Sequence, residues 1–171
     1  MAGEGGGRKT EQEALAALRD ADLSRVAWAE AALWAMWCRA GIPEVDALFG
    51  EGVAAMQRQD LAAAESLFAR VTERAPDFAE GWNKRATVRY LRGDYAGAIA
   101  DCEETLARKP HHFGALSGQG LCHVALGEFR EAAGLFRRTL AVHPHLDAAR
   151  QNLAAVVGEM MKGNGHTAGR G

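Results

Sequence analysis

Apolar and small residues recur along residues 45–146 with a period of 34 positions, and this period dominates the sequence. Within each period, apolar residues lie three and four positions apart on both sides of a short polar turn, which is typical of two amphipathic helices. Pro76, Pro110 and Pro144 stand at equivalent positions, where a proline ends the second helix. The pattern therefore predicts three consecutive helix–turn–helix units.

The three units share small residues at two positions and a larger residue between them. Small residues let antiparallel helices cross closely, and the larger side chain fills the space between the crossings. We therefore expect the two helices of each unit to interlock at these positions. In chain order the residues are Gly52, Leu61 and Ala64; Ala86, Tyr95 and Ala98; and Gly120, Phe129 and Ala132.

The central unit resembles a known repeat, because it carries Trp82, Gly93, Tyr95, Ala98 and Pro110 at characteristic places. This spacing resembles the tetratricopeptide repeat (TPR), a two-helix unit of 34 residues. The resemblance implies an all-α solenoid, an α-α superhelix whose concave face is lined mainly by the first helix of each unit, helix A. The chain also resembles a family of short TPR proteins with three repeats, a likeness that brings no biochemical activity with it.

Two further helices are predicted before the repeats. Thr10 and Glu13 have the spacing of a capping box, which indicates a first helix near residues 11–21. Asp22 or Ser24 is expected to cap a second helix that ends near residue 39. A glycine and then a proline follow, which is the usual signal for the end of a helix.

The predicted helices divide the chain into repeats, caps and tails. Glu30 stands where a repeat would have a small residue, so the N-terminal pair is interpreted as a cap or a degenerate repeat. The Gly-rich ends are expected to be disordered. The segments are 1–9, a disordered lead; 10–43, the N-terminal helical cap or degenerate repeat; 45–78, 79–112 and 113–146, repeats one to three; 147–161, a C-terminal capping helix; and 162–171, a disordered tail.

Three of the four tryptophans, Trp28, Trp34 and Trp37, lie on the second predicted helix. At helical spacing such large rings indicate packing against a neighbouring element. Tryptophan is also a frequent interface anchor, so an exposed docking surface is the alternative. The second hypothesis for function follows from it: a structural subunit, or a self-associating protein that uses this helix.

Arg85 occupies a position that is usually leucine in TPRs. A charged group at a partly buried position needs a partner, since an unpaired buried charge is costly. We predict internal pairing of Arg85 with Asp101 on its own repeat, or with Glu51 or Gln119 one repeat away. The alternative is a polar stripe that binds a ligand.

Glycines are frequent on the first helices of repeats two and three, at Gly81, Gly114, Gly118 and Gly120. Glycine weakens a helix, so several of them indicate close approach by another helix or by a partner's backbone.

Repeat geometry predicts a concave face that is an apolar strip with a few hydrogen-bonding groups, which suits an amphipathic helix or an extended peptide. The alternative is that the N-terminal helices cover part of this face, at Phe49 and Val53. The candidate partner-binding residues are Phe49, Val53, Asn83, Lys84, Thr87, Tyr90, Ser117 and Leu121.

Some TPR domains grip the acidic C-termini of heat-shock chaperones with a clamp of lysine and asparagine on helices A. Of the corresponding positions here, only Asn83 and Lys84 have suitable chemistry, and the third repeat offers Ser117 and Gly118. Without a set of cations a terminal carboxylate has nothing to bind, so we predict that this protein is not a carboxylate clamp.

Composition narrows the function classes further. The net charge is only −2 with acids and bases interspersed, so nucleic-acid binding is not expected. No apolar run is long enough for a membrane span. The three cysteines lie far apart and are interpreted as inert core thiols in a reducing compartment. We therefore expect a cytoplasmic protein, or one in an organelle stroma or matrix after removal of a transit peptide.

Candidate chemistry is sparse, and no enzyme, cofactor or catalytic residue is predicted. Four histidines, His111, His112, His143 and His145, lie in the turns between repeats, without a cysteine or carboxylate cluster that would indicate a metal. A metal-binding or enzymatic repeat protein is the third hypothesis. The sequence thus favours a non-catalytic protein–protein interaction module: an adaptor, scaffold or assembly factor with a protein or peptide partner.

Overall fold

The computed structural model describes the backbone of residues 4–167 and the side chains of residues 10–162. Within that range the chain forms helices and no strands, as the periodicity predicts. The helices are α1 Glu4–Ala17, α2 Leu23–Trp37, α3 Pro43–Gln57, α4 Leu61–Arg74, α5 Ala79–Leu91, α6 Tyr95–Arg108, α7 Phe113–Ala125, α8 Phe129–Val142 and α9 Asp147–Thr167. None of these helices is long and apolar enough to cross a membrane.

The three repeats are the helix pairs α3–α4, α5–α6 and α7–α8, and each pair packs on the next. The turn inside each pair places one residue in the left-handed region, at Gln59 (φ 62°), Gly93 (φ 82°) and Gly127 (φ 76°). These positions lie 34 residues apart, so the same turn recurs in all three repeats. Only the first repeat makes this turn without glycine, which is the residue that adopts it most readily.

The small residues at the helix crossings are needed for close packing, as predicted. A Cβ atom added to Gly52 would lie 2.7 Å from the Phe68 ring, and one added to Gly120 would lie 2.8 Å from the Phe136 ring. Both distances are shorter than van der Waals contact allows. Ala64, Ala98 and Ala132 are fully buried.

The ends of the chain differ from the prediction. Helix α1 begins at Glu4, so Thr10 lies inside the helix and is not its N-cap. Helix α9 continues to Thr167, beyond the predicted end at residue 161. Neither extension contains a proline, so the backbone can continue the helix there. Residues 1–3 and 168–171, also expected to be disordered, lie outside the described residues. Asp22 caps α2 as expected, because its side chain accepts a hydrogen bond from the backbone N–H of Ser24.

The hairpin α1–α2 packs on the second and third repeats. Its buried residues, among them Leu18, Leu33 and Trp37, form one cluster with Phe113 at the start of α7. Two of the three tryptophans pack as predicted, since Trp34 and Trp37 contact the Phe113 ring at centroid distances of 5.4 Å. Trp28 does not, and 58% of its surface is exposed.

Arg85 pairs with Asp101, as predicted. Its Nε and Nη2 atoms donate to the two carboxylate oxygens of Asp101 over 2.9 and 2.7 Å, a bidentate geometry. Arg89 Nη1 lies 3.0 Å from the same carboxylate. The pKa of Arg85 is raised, chiefly by these hydrogen bonds to Asp101. Arg85, Arg89 and Asp101 thus pair with one another inside the second repeat.

Candidate functional site

A cavity of about 460 Å³ lies between α5 and α7, and Trp34 of α2 forms part of its wall. We call it the α5–α7 cavity. No lining residue carries a charged side chain. The structure brings together five of the eight candidate residues here, which are Asn83, Thr87, Tyr90, Ser117 and Leu121.

Two glycines of α7 account for the shape of the cavity. A Cβ atom at Gly114 would lie 3.0 Å from the Trp34 ring, so this glycine lets α2 approach closely, as the sequence indicated. A Cβ atom at Gly118 would meet only the Cys102 sulfur, at 3.9 Å. Because Gly118 lines the cavity, a larger side chain at this position would occupy part of it.

Polar groups around the cavity remain available for a ligand. Asn83 Nδ2 donates to Glu80 Oε2 over 3.1 Å, and Asn83 Oδ1 accepts no hydrogen bond from the described residues. The side-chain hydroxyls of Tyr90 and Ser117 make none within the described part of the chain either. Thr87 differs, since its hydroxyl donates to the Asn83 carbonyl over 3.0 Å. The cavity is thus apolar with a few free hydrogen-bonding groups.

A buried polar network next to the cavity fixes the Asn83 amide. Glu80 and His112 are both fully buried. His112 Nδ1 accepts from the Ala115 N–H over 3.0 Å, so Nε2 carries the proton and donates to Glu80 Oε2 over 2.9 Å. Lys84 Nζ lies 3.3 Å from the other Glu80 oxygen, which accepts no hydrogen bond. The sequence did not point to Glu80. Its partner His112 is the N-cap of α7 and lies 32 residues further along the chain.

The N-terminal hairpin is held against the repeats by stacking and by ion pairs. The Trp37 ring stacks on His112 at 4.3 Å, and its Nε1 atom donates to Glu11 Oε1 over 2.7 Å. Lys109 Nζ donates to the same carboxylate over 2.7 Å. Burial raises the pKa of Glu11, but hydrogen bonds from Lys109 and Trp37 outweigh it, so the pKa lies below its ordinary value.

Histidines of the last inter-repeat turn add two further contacts to the hairpin. His143 Nε2 pairs with Glu30 Oε1. This contact gives a structural partner to Glu30, which stands where a repeat would have a small residue. His145 Nε2 donates to the Asp20 carbonyl over 2.9 Å. Among the described residues no group of three or more histidine, cysteine or carboxylate side chains converges as a metal site.

Three candidate residues lie outside the cavity. Phe49 is buried in the repeat core, because its ring packs against Phe68 and Phe78 at 5.7 and 5.2 Å, so its assignment to the accessible groove is corrected. Val53 is half-buried against the same core. Lys84 lies beside the cavity, with Nζ 5.7 Å from the Trp34 ring centroid. The hairpin thus contacts the second and third repeats through Trp34. Phe49 is buried by Phe68 and Phe78 of the repeats, and not by the hairpin as the alternative prediction had it.

Two of the three cysteines form part of the cavity wall. Cys102 and Cys122 are buried and free. Burial raises the pKa of Cys102 strongly and that of Cys122 to about 11, so both thiols stay protonated at neutral pH. They contribute apolar surface to the cavity and have little nucleophilic character.

Sequence comparisons place the chain among repeat proteins. Two models of the tetratricopeptide repeat match residues 49–113 and 90–157. A TPR repeat-containing protein of Rhizobium etli is 35% identical over 89 residues, which cover 52% of this chain and 43% of the relative. Tetratricopeptide repeat protein 36 of Bos taurus is 38% identical over 69 residues, covering 40% and 37%. The chain thus matches less than half the length of these curated relatives.

Solved structures agree in fold. The TPR domain of Sgt2 from Aspergillus fumigatus superposes with a TM-score of 0.68 at 24% identity, covering 71% of this chain and 82% of that domain. The first TPR domain of Spaghetti (RPAP3), solved with the HSP90 peptide SRMEEVD, has a TM-score of 0.68 at 20% identity and covers 68% and 93%. Repeat sequence, helix pairing and both comparisons lead to one assignment: the chain belongs to the tetratricopeptide repeat family.

Proposed function

We propose that the protein is a non-catalytic interaction module, an adaptor, scaffold or assembly factor, that binds a peptide or helix of a protein partner at the α5–α7 cavity. The observation that carries the proposal is an uncharged concave cavity with unused hydrogen-bonding groups on Asn83, Tyr90 and Ser117. Peptide sites combine apolar surface with a few such groups, which fix the peptide's orientation. The free cysteines favour a reducing compartment such as the cytoplasm.

The cavity does not favour an acidic peptide such as SRMEEVD, the HSP90 peptide bound to the first TPR domain of RPAP3. Lys84 is the one basic candidate residue, and its ammonium group already faces the Glu80 carboxylate. An incoming carboxylate would compete with a buried anion for this cation, and no charged side chain lines the cavity to replace it. We therefore expect a partner that presents an uncharged segment.

Selection of binding peptides tests the proposal. A random peptide library displayed on phage is selected on the whole protein, and the enriched peptides are titrated by fluorescence anisotropy. We expect Asn83→Ala/Tyr90→Ala to weaken them by at least about tenfold, since both side chains line the cavity. Arg137→Ala/Arg138→Ala, at exposed residues of α8, is the matched control. Equal weakening by both double variants, or by neither, would contradict the proposed site.

Self-association is the second candidate, and one observation favours it. Leu23 and Trp28 of α2 are 64% and 58% exposed, on a helix whose other tryptophans are packed inside. A second copy would bury them at a two-fold interface. Analytical ultracentrifugation should then find a dimer that Trp28→Ala dissociates. A monomer at every concentration up to about 100 μM, well above the Kd of specific complexes, would exclude this candidate.

A further inference from the structure

We propose that the α5–α7 cavity is an anchor pocket that takes one uncharged, apolar side chain of the partner, with Trp34 of the N-terminal hairpin as part of its wall. This inference rests on the proposed function, in which a peptide or helix of a protein partner binds at the α5–α7 cavity. It adds the chemistry of the residue that the cavity recognises and the part that α2 takes in recognising it.

The charge of the cavity excludes an ionised anchor. None of its lining residues is charged, and the thiols of Cys102 and Cys122 in its wall are protonated. The nearby cation, Lys84, lies 3.3 Å from the fully buried Glu80. An aspartate or lysine side chain entering this cavity would lose water without gaining a counter-ion, which is strongly unfavourable. An apolar side chain would instead gain by leaving water.

The cavity is large enough for any apolar side chain, since a cavity of about 150 Å³ already holds a benzene ring. At about 460 Å³ it lies toward the lower end of the range for ligand cavities, roughly 300–1,000 Å³. Gly118 lines the cavity, and a Cβ atom there would make only an ordinary contact, with the Cys102 sulfur at 3.9 Å. A larger side chain at this position would therefore take up space that the anchor needs.

The free polar groups suit the backbone on either side of the anchor. Glu80 accepts from Asn83 Nδ2, which orients the amide and leaves Oδ1 as an acceptor for a partner N–H. Ser117 lies on α7, whereas Asn83 lies on α5, and both line the cavity. The Ser117 hydroxyl can donate to a partner carbonyl or accept from an N–H. An apolar anchor with hydrogen bonds to its flanking backbone is how extended peptides combine affinity with register.

Trp34 makes the N-terminal hairpin part of the site. Its ring packs edge-on against Phe113 at 5.4 Å, lies against Gly114 and lines the cavity. Removing the ring would take away this part of the wall and admit water. We therefore expect Trp34→Ala to weaken apolar anchors, whereas it leaves the backbone contacts of Asn83 and Ser117 in place.

Blocked single amino acids test the anchor directly. N-acetyl amides of leucine, phenylalanine, aspartate and lysine are titrated separately into the isotope-labelled whole protein, and amide chemical shifts are followed by NMR. We expect the leucine and phenylalanine amides to shift Asn83, Ser117 and Gly118 with at least about tenfold higher affinity than the charged amides. Equal binding of the aspartate or lysine amide, or no shift at these residues with any probe, would overturn the inference.

Substitutions that fill the α5–α7 cavity provide a second test. Gly118→Leu should abolish the leucine-amide shifts, and Gly134→Leu, at a helix glycine with nothing within 4 Å, is the matched control and should retain them. Circular dichroism checks the helix content of both, and Ser117→Leu is a second filling variant should Gly118→Leu unfold. Unchanged leucine binding in a folded filling variant would refute the anchor pocket. If selected peptides bind at the α5–α7 cavity but need a charged central residue, the binding site stands, whereas the apolar anchor and the expected uncharged segment fail.

Discussion

Breaking the Arg85–Asp101 pair should destabilise the second repeat strongly and unequally, depending on which partner is removed. Asp101 is nearly fully buried, with 3% of its side chain exposed, and Arg85 has 13% exposed. Arg85 donates two hydrogen bonds to Asp101 and a third, over 3.1 Å, to Thr72 Oγ1. Arg89 supplies a further contact to the Asp101 carboxylate.

The geometry sets the magnitudes. Asp101→Ala would remove the carboxylate that the two guanidinium groups share and leave Arg85 with only the Thr72 hydroxyl as a side-chain acceptor. Removing one member of a buried ion pair costs about 3–5 kcal/mol. Arg85→Ala would cost less, about 2–3 kcal/mol, because Arg89 continues to neutralise Asp101. For a chain of this size these values correspond to a fall in Tm of roughly 6–20 °C for Asp101→Ala and 4–12 °C for Arg85→Ala.

Thermal unfolding followed by circular dichroism measures both changes, and the double variant completes a mutant cycle. We expect a coupling free energy of at least about 1 kcal/mol, since the residues are in direct contact. Glu103→Ala, at an exposed position on the same helix, is the control and should change stability by less than about 0.5 kcal/mol. Additive single effects, or an Arg85→Ala cost above that of Asp101→Ala, would refute this account of the pair.

Two further predictions concern the turn of the first repeat and the hairpin. Gln59→Gly should raise Tm by about 1–4 °C, because Gln59 adopts φ 62° where the other repeats have glycine; calorimetry measures it. Glu11→Gln should lower the free energy of unfolding at neutral pH. In the folded protein the Glu11 carboxylate is stabilised by Lys109 and Trp37, which is why its pKa is lowered. A group with a lowered folded pKa stabilises above its unfolded pKa, so the gap between wild type and variant should shrink as pH falls below 4.5.

Each of these predictions has a clear contrary result. A fall in Tm for Gln59→Gly would mean that the added freedom of glycine in the unfolded chain outweighs the relief of the turn. A gap for Glu11→Gln that stays constant from neutral pH to below 4.5 would show that Lys109 and Trp37 do not stabilise the ionised carboxylate. Urea titrations at several pH values provide this comparison.

Local pattern predicted the repeats because their contacts are local or recur with the period. The Gly52 and Gly120 crossings, the Asp22 cap and the pairing of Arg85 with Asp101 all follow from positions within one repeat or one helix turn. The partner of Arg85 could be predicted for the same reason, because a buried charge needs an opposite charge nearby.

The site was only partly predictable, because part of its wall depends on contacts between distant parts of the chain. Glu30 meets His143 and Glu11 meets Lys109, pairs that lie 113 and 98 residues apart. No periodicity links a hairpin to the repeats on which it packs. Phe49 was misplaced because an aromatic ring on helix A can equally face the groove or the core, and its neighbour Phe78 decides for the core.

Calorimetric titration of one selected peptide shows whether a partner binds at the α5–α7 cavity, as we propose. The same peptide is titrated into the wild type, Gly118→Leu and Gly134→Leu, which place an identical side chain inside the cavity and on an open helix surface. We expect at least about a tenfold loss of affinity for Gly118→Leu and none for Gly134→Leu. Equal affinities for all three proteins, with the variants fully folded, would contradict the proposal.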